Sequence, residues 1–250
     1  MSKYKYYKAC YAKYTMTIPI KIISKKDYLK SEAEPNQEKI WDNIANPWKE
    51  YVVKRIPTVE TFLKGKKGKI IDLGCGTGRN MISNKDVEYT AVDFSASQLS
   101  HLKKHIKTNK LNAKIIKSDA SNLQQIKDNT FDHGIFIAAL HCIETKTKRK
   151  KSLEELYRVL KPSGTAIITV WDSDDKRFKK IKDKGDIYMA WNHDMISHMR
   201  YYYLFKKQEL KKLIESAGFK ITKFSTYNED AKDNLDRFNK KNWILEIQKT

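Results

Sequence analysis

The sequence predicts an α/β fold, a layered sheet that is parallel through most of its width and antiparallel at its end. Three observations predict it. From residue 37 onward, apolar runs of strand length alternate with stretches of helical periodicity. The runs, such as "AIITVW" (166–171), are nearly continuous, the pattern of strands covered on both faces. The last two runs, "FKITKF" (219–224) and "NWILEIQK" (242–249), read as an antiparallel pair.

The elements follow in order. "TIPIKIIS" (17–24) alternates weakly and reads as a short strand with an edge proline. "SEAEPN" (31–36) reads as a linker. "QEKIWDNIA" (37–45) places Ile40, Trp41 and Ile44 on one helical face, and "TVETFLKG" (58–65) is a second helix ending on glycine. "KIIDLG" (69–74) and "EYTAVDF" (88–94) are strands. "SASQLSHLKKHIKTN" (95–109) is a helix opened by Ser95 as N-cap, with Leu99, Leu102 and Ile106 on one face. "AKIIKSD" (113–119) and "FDHGIFIAAL" (131–140) are the third and fourth strands. "TKRKKSLEELYRVLKPSG" (147–164) is an amphipathic helix stopped by Pro162 and Gly164, and "TAIITVW" (165–171) the fifth strand. Residues 172–206 show no regular pattern. "KQELKKLIESAG" (207–218) is a helix closed by Gly218 at C′.

At 250 residues the chain suits one large domain with additions. The predicted division is a basic, tyrosine-rich extension over 1–35 and a catalytic-type domain over 36–250 with an insertion at 172–206. In the extension, lysines 3, 5, 8, 13, 21, 25, 26 and 30 interleave with tyrosines 4, 6, 7, 11, 14 and 28. That mixture suits single-stranded RNA, where rings stack on bases and cations follow phosphates; it equally suits a solvated tail. Three separated cysteines give neither a disulfide framework nor metal-ligand spacing. No apolar run approaches the ~20 residues of a membrane helix, and the N-terminus lacks a secretory apolar core. The expectation is a cytoplasmic protein without a membrane partner. The net charge of +20 points to a polyanion, although only seven of the 50 basic residues are arginine.

"IIDLGCGTGRN" (70–80) carries the chemistry. Gly74, Gly76 and Gly78 stand where a strand ends, the edge at which open α/β sheets bind ligands. The spacing lacks the dinucleotide fingerprint and the phosphate loop's Lys-Ser/Thr. A zwitterion fits better, because Asp72 can attract an ammonium group. A tight strand-to-helix turn would use the same glycines. Asp93, ending the next strand, can accept two bonds from a ribose diol, and Asp119, ending the third, can accept from an adenine amino group. Either alone reads as an ordinary loop acid; together they describe a nucleoside pocket.

With "AVDFS" (91–95), "KSDASNL" (117–123) and "FDHGIFIAALH" (131–141), this stretch resembles the cofactor motifs of class I S-adenosylmethionine-dependent methyltransferases. The resemblance covers about 37–225. It implies a Rossmann-like seven-stranded sheet with an antiparallel C-terminal strand. It implies S-adenosyl-L-methionine held by Asp72, Gly74, Cys75, Gly76 and Gly78 (methionine part), Asp93 and Phe94 (ribose), and Asp119 and Ala120 (adenine), with Ala138 beside them. "IWDNIANPW" (40–48), "ALHCIET" (139–145), "TVWDSDDKRF" (169–178) and "MRYYYLF" (199–205) resemble one subfamily, the tRNA methyltransferases that esterify 5-carboxymethyluridine at the wobble position. That resemblance implies tRNA as substrate and a small zinc-binding activator subunit as partner. It also implies Arg200 gripping the carboxylate, Tyr201 or Tyr202 orienting it, and His141 near the methyl group. The sequence departs from the subfamily at Val52, Cys142 and 188–191. A surface ion pair for Arg200, core packing for the tyrosines and a structural His141 are the alternatives. The competing functions are a small-molecule class I methyltransferase and a catalytically silent RNA-binding subunit of the same fold.

Overall fold

The computed structural model describes residues 21–52, 54–182, 184–229 and 240–250. A seven-stranded sheet forms the centre. Its strands are β2 (Gly68–Leu73), β3 (Val87–Asp93), β4 (Ala113–Lys117), β5 (Phe131–Ile137), β6 (Leu160–Trp171), β9 (Phe219–Glu229) and β10 (Lys240–Lys249). They run in the order β4-β3-β2-β5-β6-β10-β9. β2 pairs parallel with both β3 and β5, β4 and β6 extend the parallel set, and β10 lies antiparallel to β6 and β9. The chain order therefore reverses between β2 and β5, and a crevice opens at their carboxyl ends.

Both faces of this sheet are buried, which explains its unbroken apolar runs. Neighbouring residues divide between two cores. Ile70, Ile135, Ile167 and Ile244 pack with Leu99 and Leu102 of α5 (Ala96–Asn109). Ile71, Phe136, Ile168 and Leu245 pack on the other face with Leu153, Leu156 and Val159 of α6 (Lys146–Val159). Side chains on a strand alternate faces, so every position here needs an apolar residue. Ser95 caps α5 as the sequence predicts, its Oγ accepting from Gln98 N at 3.1 Å. That hydroxyl in turn donates to Asp42 Oδ1 at 2.6 Å.

Three features differ from expectation. α6 ends at Val159, before Pro162 and Gly164, and the chain passes straight into β6. The proline sits in a bulged stretch of that strand, between the Phe131–Leu160 and His133–Thr165 pairs, where no ladder donor is required. A further helix, α3 (Ala45–Tyr51), follows α2 (Gln37–Asn43), and α4 (Pro57–Leu63) precedes β2. The third difference is the segment 172–206, which is not irregular. It holds β7 (Asp186–His193) and β8 (Ile196–Tyr203), and β1 (Ile22–Ser24) joins β7 to make a three-stranded antiparallel sheet. Residues 22–24 of the N-terminal extension thus belong to this small sheet and the short helix α1 (Lys25–Tyr28) follows them; residues 1–20, with half of the extension's lysines and five of its six tyrosines, lie outside the described residues.

The hairpin escapes sequence reading for two reasons. Its two-residue turn uses Asp194 and Met195 at φ 48° and 60°, without the glycine that usually marks such a turn. Its faces are both apolar, with Ile187, Met189 and Tyr202 on one and Tyr188, Ala190 and Tyr201 on the other, so no polar alternation shows.

Candidate active site

The crevice gathers the predicted cofactor residues on four consecutive parallel strands. Asp72 ends β2 and the glycine loop follows it; Asp93 and Phe94 end β3; Asp119 and Ala120 follow β4; Ala138 follows β5. Gly74 (φ 63°) passes so close to Ala139 that a Cβ there would overlap Ala139 Cβ, so the turn requires glycine. Gly76 (φ 53°) is the reverse case. A Cβ there would meet nothing nearer than Gln98 Oε1 at 3.9 Å, leaving an open side of bare backbone. Gly78 closes the loop by donating its N–H to Cys75 O at 2.9 Å, and Cys75 N–H donates to Val92 O at 3.0 Å.

The carboxylates sit in unequal environments. Asp72 is buried, and its Oδ2 has no hydrogen-bond partner. Burial, reinforced by the Asp93 charge, holds it well above the usual carboxyl range. Asp93 accepts Gly76 N–H at 2.8 Å and Ser95 N–H at 2.9 Å. Burial nevertheless raises it to about 6, against the lowering effect of those bonds. Asp119 is raised by burial but more than offset by bonds from Ser121 and Lys148, which leave it below the ordinary value. Lys148 Nζ reaches Asp119 Oδ2 at 2.9 Å.

These groups fit S-adenosyl-L-methionine. A buried carboxyl oxygen without a partner, beside a glycine with open space over its backbone, matches an ammonium-bearing ligand pressed against the chain. Gln98 Oε1, also buried and without a partner, borders the same space. Ala138 lies in the left-handed region (φ 53°), held there by its N–H donating to Thr169 O and Oγ1 at 3.1 and 2.9 Å. Thr169 is a contributor that sequence reading missed.

A second compartment adjoins the first. Arg200 on β8 is 4% exposed, and its guanidinium lies over four rings: Trp191 at 5.0 Å, Trp48 at 5.2 Å, Tyr202 at 5.3 Å and Trp41 at 5.9 Å. No carboxylate pairs with it among the described residues, and its Nε is buried without a partner. Trp191 Nε1, the Tyr202 hydroxyl and both ring nitrogens of His141 are likewise buried without partners. Gln37 positions this arginine. Its amide donates to Met199 O at 3.2 Å and accepts Tyr201 N–H at 2.8 Å, gripping the backbone on both sides of Arg200.

The catalytic candidates separate by face. Arg200 and Tyr202 share one face of β8. Tyr201 points to the other, because a strand alternates. Its hydroxyl bonds to Asp186 and accepts from Arg149 Nη1 at 2.8 Å, so it anchors the small sheet to α6 and does not face Arg200. His141 is fully buried between Trp171 (4.9 Å) and Tyr202 (5.7 Å, stacked). Burial and the nearby Arg177 charge press it down to about 3, so it is neutral at physiological pH. Cys142 joins the compartments. It lies within the fields of both Arg200 and Asp93, and its Sγ donates to Ala138 O at 3.4 Å. The aromatic box and Gln37 are the parts sequence reading missed. Trp41, Trp48 and Trp191 were visible in the motifs, but nothing in their spacing shows that they converge.

Comparison with known proteins agrees with this architecture. The model of a methyltransferase-domain family matches residues 64–218. The tRNA (carboxymethyluridine(34)-5-O)-methyltransferase of Schizosaccharomyces pombe is 28% identical over 209 residues, spanning 73% of this chain and 87% of the yeast one. The protein of the same name from Arabidopsis thaliana is 30% identical over 167 residues, 64% of this chain and 40% of the plant protein. A solved methyltransferase from Methanosarcina mazei superposes with TM-score 0.64 at 21% identity, over 78% of this chain and 98% of that one. With the glycine loop, the strand-end carboxylates and the reversed strand order in place, the chain belongs to the methyltransferase-domain family, with class I architecture and S-adenosyl-L-methionine as its cofactor.

Proposed function

We propose that this chain methylates the carboxylate of 5-carboxymethyluridine at the wobble position of tRNA, forming the ester. The observation that carries the reading is Arg200, a buried guanidinium boxed by aromatic rings with no carboxylate beside it among the described residues. Buried charges in proteins are normally paired. A substrate carboxylate entering the box supplies the missing partner. The names of the yeast and plant relatives and the net charge of +20 favour tRNA as its carrier.

Bound S-adenosyl-L-methionine supplies an electrophilic methyl group. The chain's own residues do the rest by position. A carboxylate with an ordinary pKa is ionised at neutral pH, so no base is needed to create the nucleophile. Arg200 pairs with it through two N–H groups, and the Tyr202 hydroxyl, free of other partners, can donate to the same group. The rings around them exclude water, which strengthens the pairing and strips the acceptor's hydration. His141, neutral and packed against Tyr202, shapes the wall and takes no proton.

The test incubates the protein and cofactor with tRNA bearing 5-carboxymethyluridine or its amide, and reads nucleosides by mass spectrometry. Parallel arms add the zinc-binding activator that the subfamily resemblance implies. Ester from the carboxylate and none from the amide is the expected result. Absence of ester in both arms, or equal methylation of the amide tRNA, overturns the reading.

A further inference from the structure

The box opens outward along a stripe that methyl transfer does not use. In the β7–β8 hairpin, directly paired residues share a face: Met189 with Arg200, Trp191 with His198, and His193 with Ile196. The Arg200 face therefore continues through Trp191 and His198 to the turn. There Met195 is fully exposed and Ile196 58% exposed. Across from it, the helix Ala45–Tyr51 ends in Tyr51, 42% exposed, with its ring edge-on to Trp191 at 5.1 Å and tilted against Trp48 at 5.9 Å. An aromatic surface thus runs without a break from a buried arginine to solvent, on a chain with an excess of twenty positive charges.

We propose that this mouth is a stacking platform for an unpaired RNA base next to the modified uridine, with Tyr51 as its outer ring and the 194–196 turn as its far lip. The proposal rests on the tRNA reading above. Three observations select this occupant. The platform is continuous with the acceptor box, which sets a nucleotide attached to the substrate base within reach of it. Its wall is built of ring faces and edges, which accept any base by stacking. The chain that carries it has a net charge of +20, which attracts a phosphate backbone. A base in a helix has both faces occupied by its neighbours, so the platform selects looped-out, single-stranded nucleotides over duplex.

The experiment measures binding of an unmodified anticodon stem-loop RNA, and of a duplex of the same composition, to wild type, Tyr51→Ala and Tyr51→Phe. Omitting the carboxymethyl group keeps the measurement independent of ester formation. Calorimetric titration with the cofactor confirms that each variant is folded. Tyr51→Ala is expected to weaken stem-loop binding about tenfold, with Tyr51→Phe restoring it, because a stacked base contributes on that order. Duplex binding is expected to change less than twofold. Equal stem-loop affinity in wild type and Tyr51→Ala, or equal losses for stem-loop and duplex, overturns the platform. If Tyr51-dependent loop binding is found and no ester forms on any tRNA, the reading of the reaction falls and the platform stands.

Discussion

Replacing Arg200 by methionine separates a guanidinium kept for substrate from one kept for stability. Four ring contacts between 5.0 and 5.9 Å favour the charge where it lies. Desolvated cation–π contacts contribute roughly 0.5–2 kcal/mol each and do not add fully, so the four together give about 2–4 kcal/mol. Against them stands the burial of a cation without a counter-ion, which costs several kcal/mol. The two nearly cancel. R200M therefore changes unfolding free energy by no more than about 2 kcal/mol in either direction, or about 5 °C in Tm for a chain of this size. Methyl transfer, by contrast, loses the donor that aims the acceptor and falls about 100- to 1,000-fold in kcat/KM. Cofactor affinity stays within about twofold of wild type, since the four rings around the side chain are not among the residues assigned to the cofactor. Differential scanning calorimetry, cofactor titration and the tRNA assay read the three quantities separately. Breaking a true structural ion pair instead costs about 3–5 kcal/mol. A fall in Tm of 10 °C or more, with cofactor binding lost alongside activity, would refute the reasoning.

The remaining expectations concern the cofactor loop and the frame around it. Asp93 has a folded value of about 6, above its ordinary value, so in the ligand-free protein it is stabilising below the unfolded value near 4 and that contribution is lost as pH rises toward 6. Cofactor affinity shows the opposite trend, strengthening between about pH 5 and 7 as the carboxylate becomes available to ribose hydroxyls. Titrations across that range should show the rise in wild type and its absence in D93N. Gly74→Ala forces both a left-handed alanine and an overlap with Ala139, and should lower stability by about 2–3 kcal/mol and abolish detectable cofactor binding, read by denaturation and calorimetry. Arg149 accepts no substitute easily, since it donates to Ile143 O and Tyr201 Oη at 2.8 Å each and stacks on Tyr203 at 3.8 Å. R149M should destabilise by about 3 kcal/mol in chemical denaturation, because buried acceptors lose their donor. Finally, the pH profile of kcat should show no ionisation near 6.5 that disappears in His141→Asn, since the ring is neutral throughout.

How much of this was legible depends on how local the signal is. The central sheet was readable strand by strand, since burial on both faces writes its requirement directly into runs such as "KIIDLG" and "AIITVW". The helix cap at Ser95 and the antiparallel end of the sheet were equally local, and both appear where the residues placed them. The β7–β8 hairpin was not, because a turn of Asp194 and Met195 carries no glycine and because two apolar faces leave no alternation to read. Tyr201 and Tyr202 were indistinguishable as neighbours in "RYYY" until strand pairing assigned one to each face.

The sequence by itself determined the α/β class, the glycine turn and the carboxylate at each strand end. These depend on interactions between residues a few positions apart and on the periodicity of one element at a time. Only the tertiary structure decided what Arg200 meets. Its four rings come from residues 41, 48, 191 and 202, and its backbone is held by Gln37, more than 160 positions away. Whether a buried cation finds a carboxylate or an empty box of rings is a property of packing between separate elements, and no local pattern encodes it.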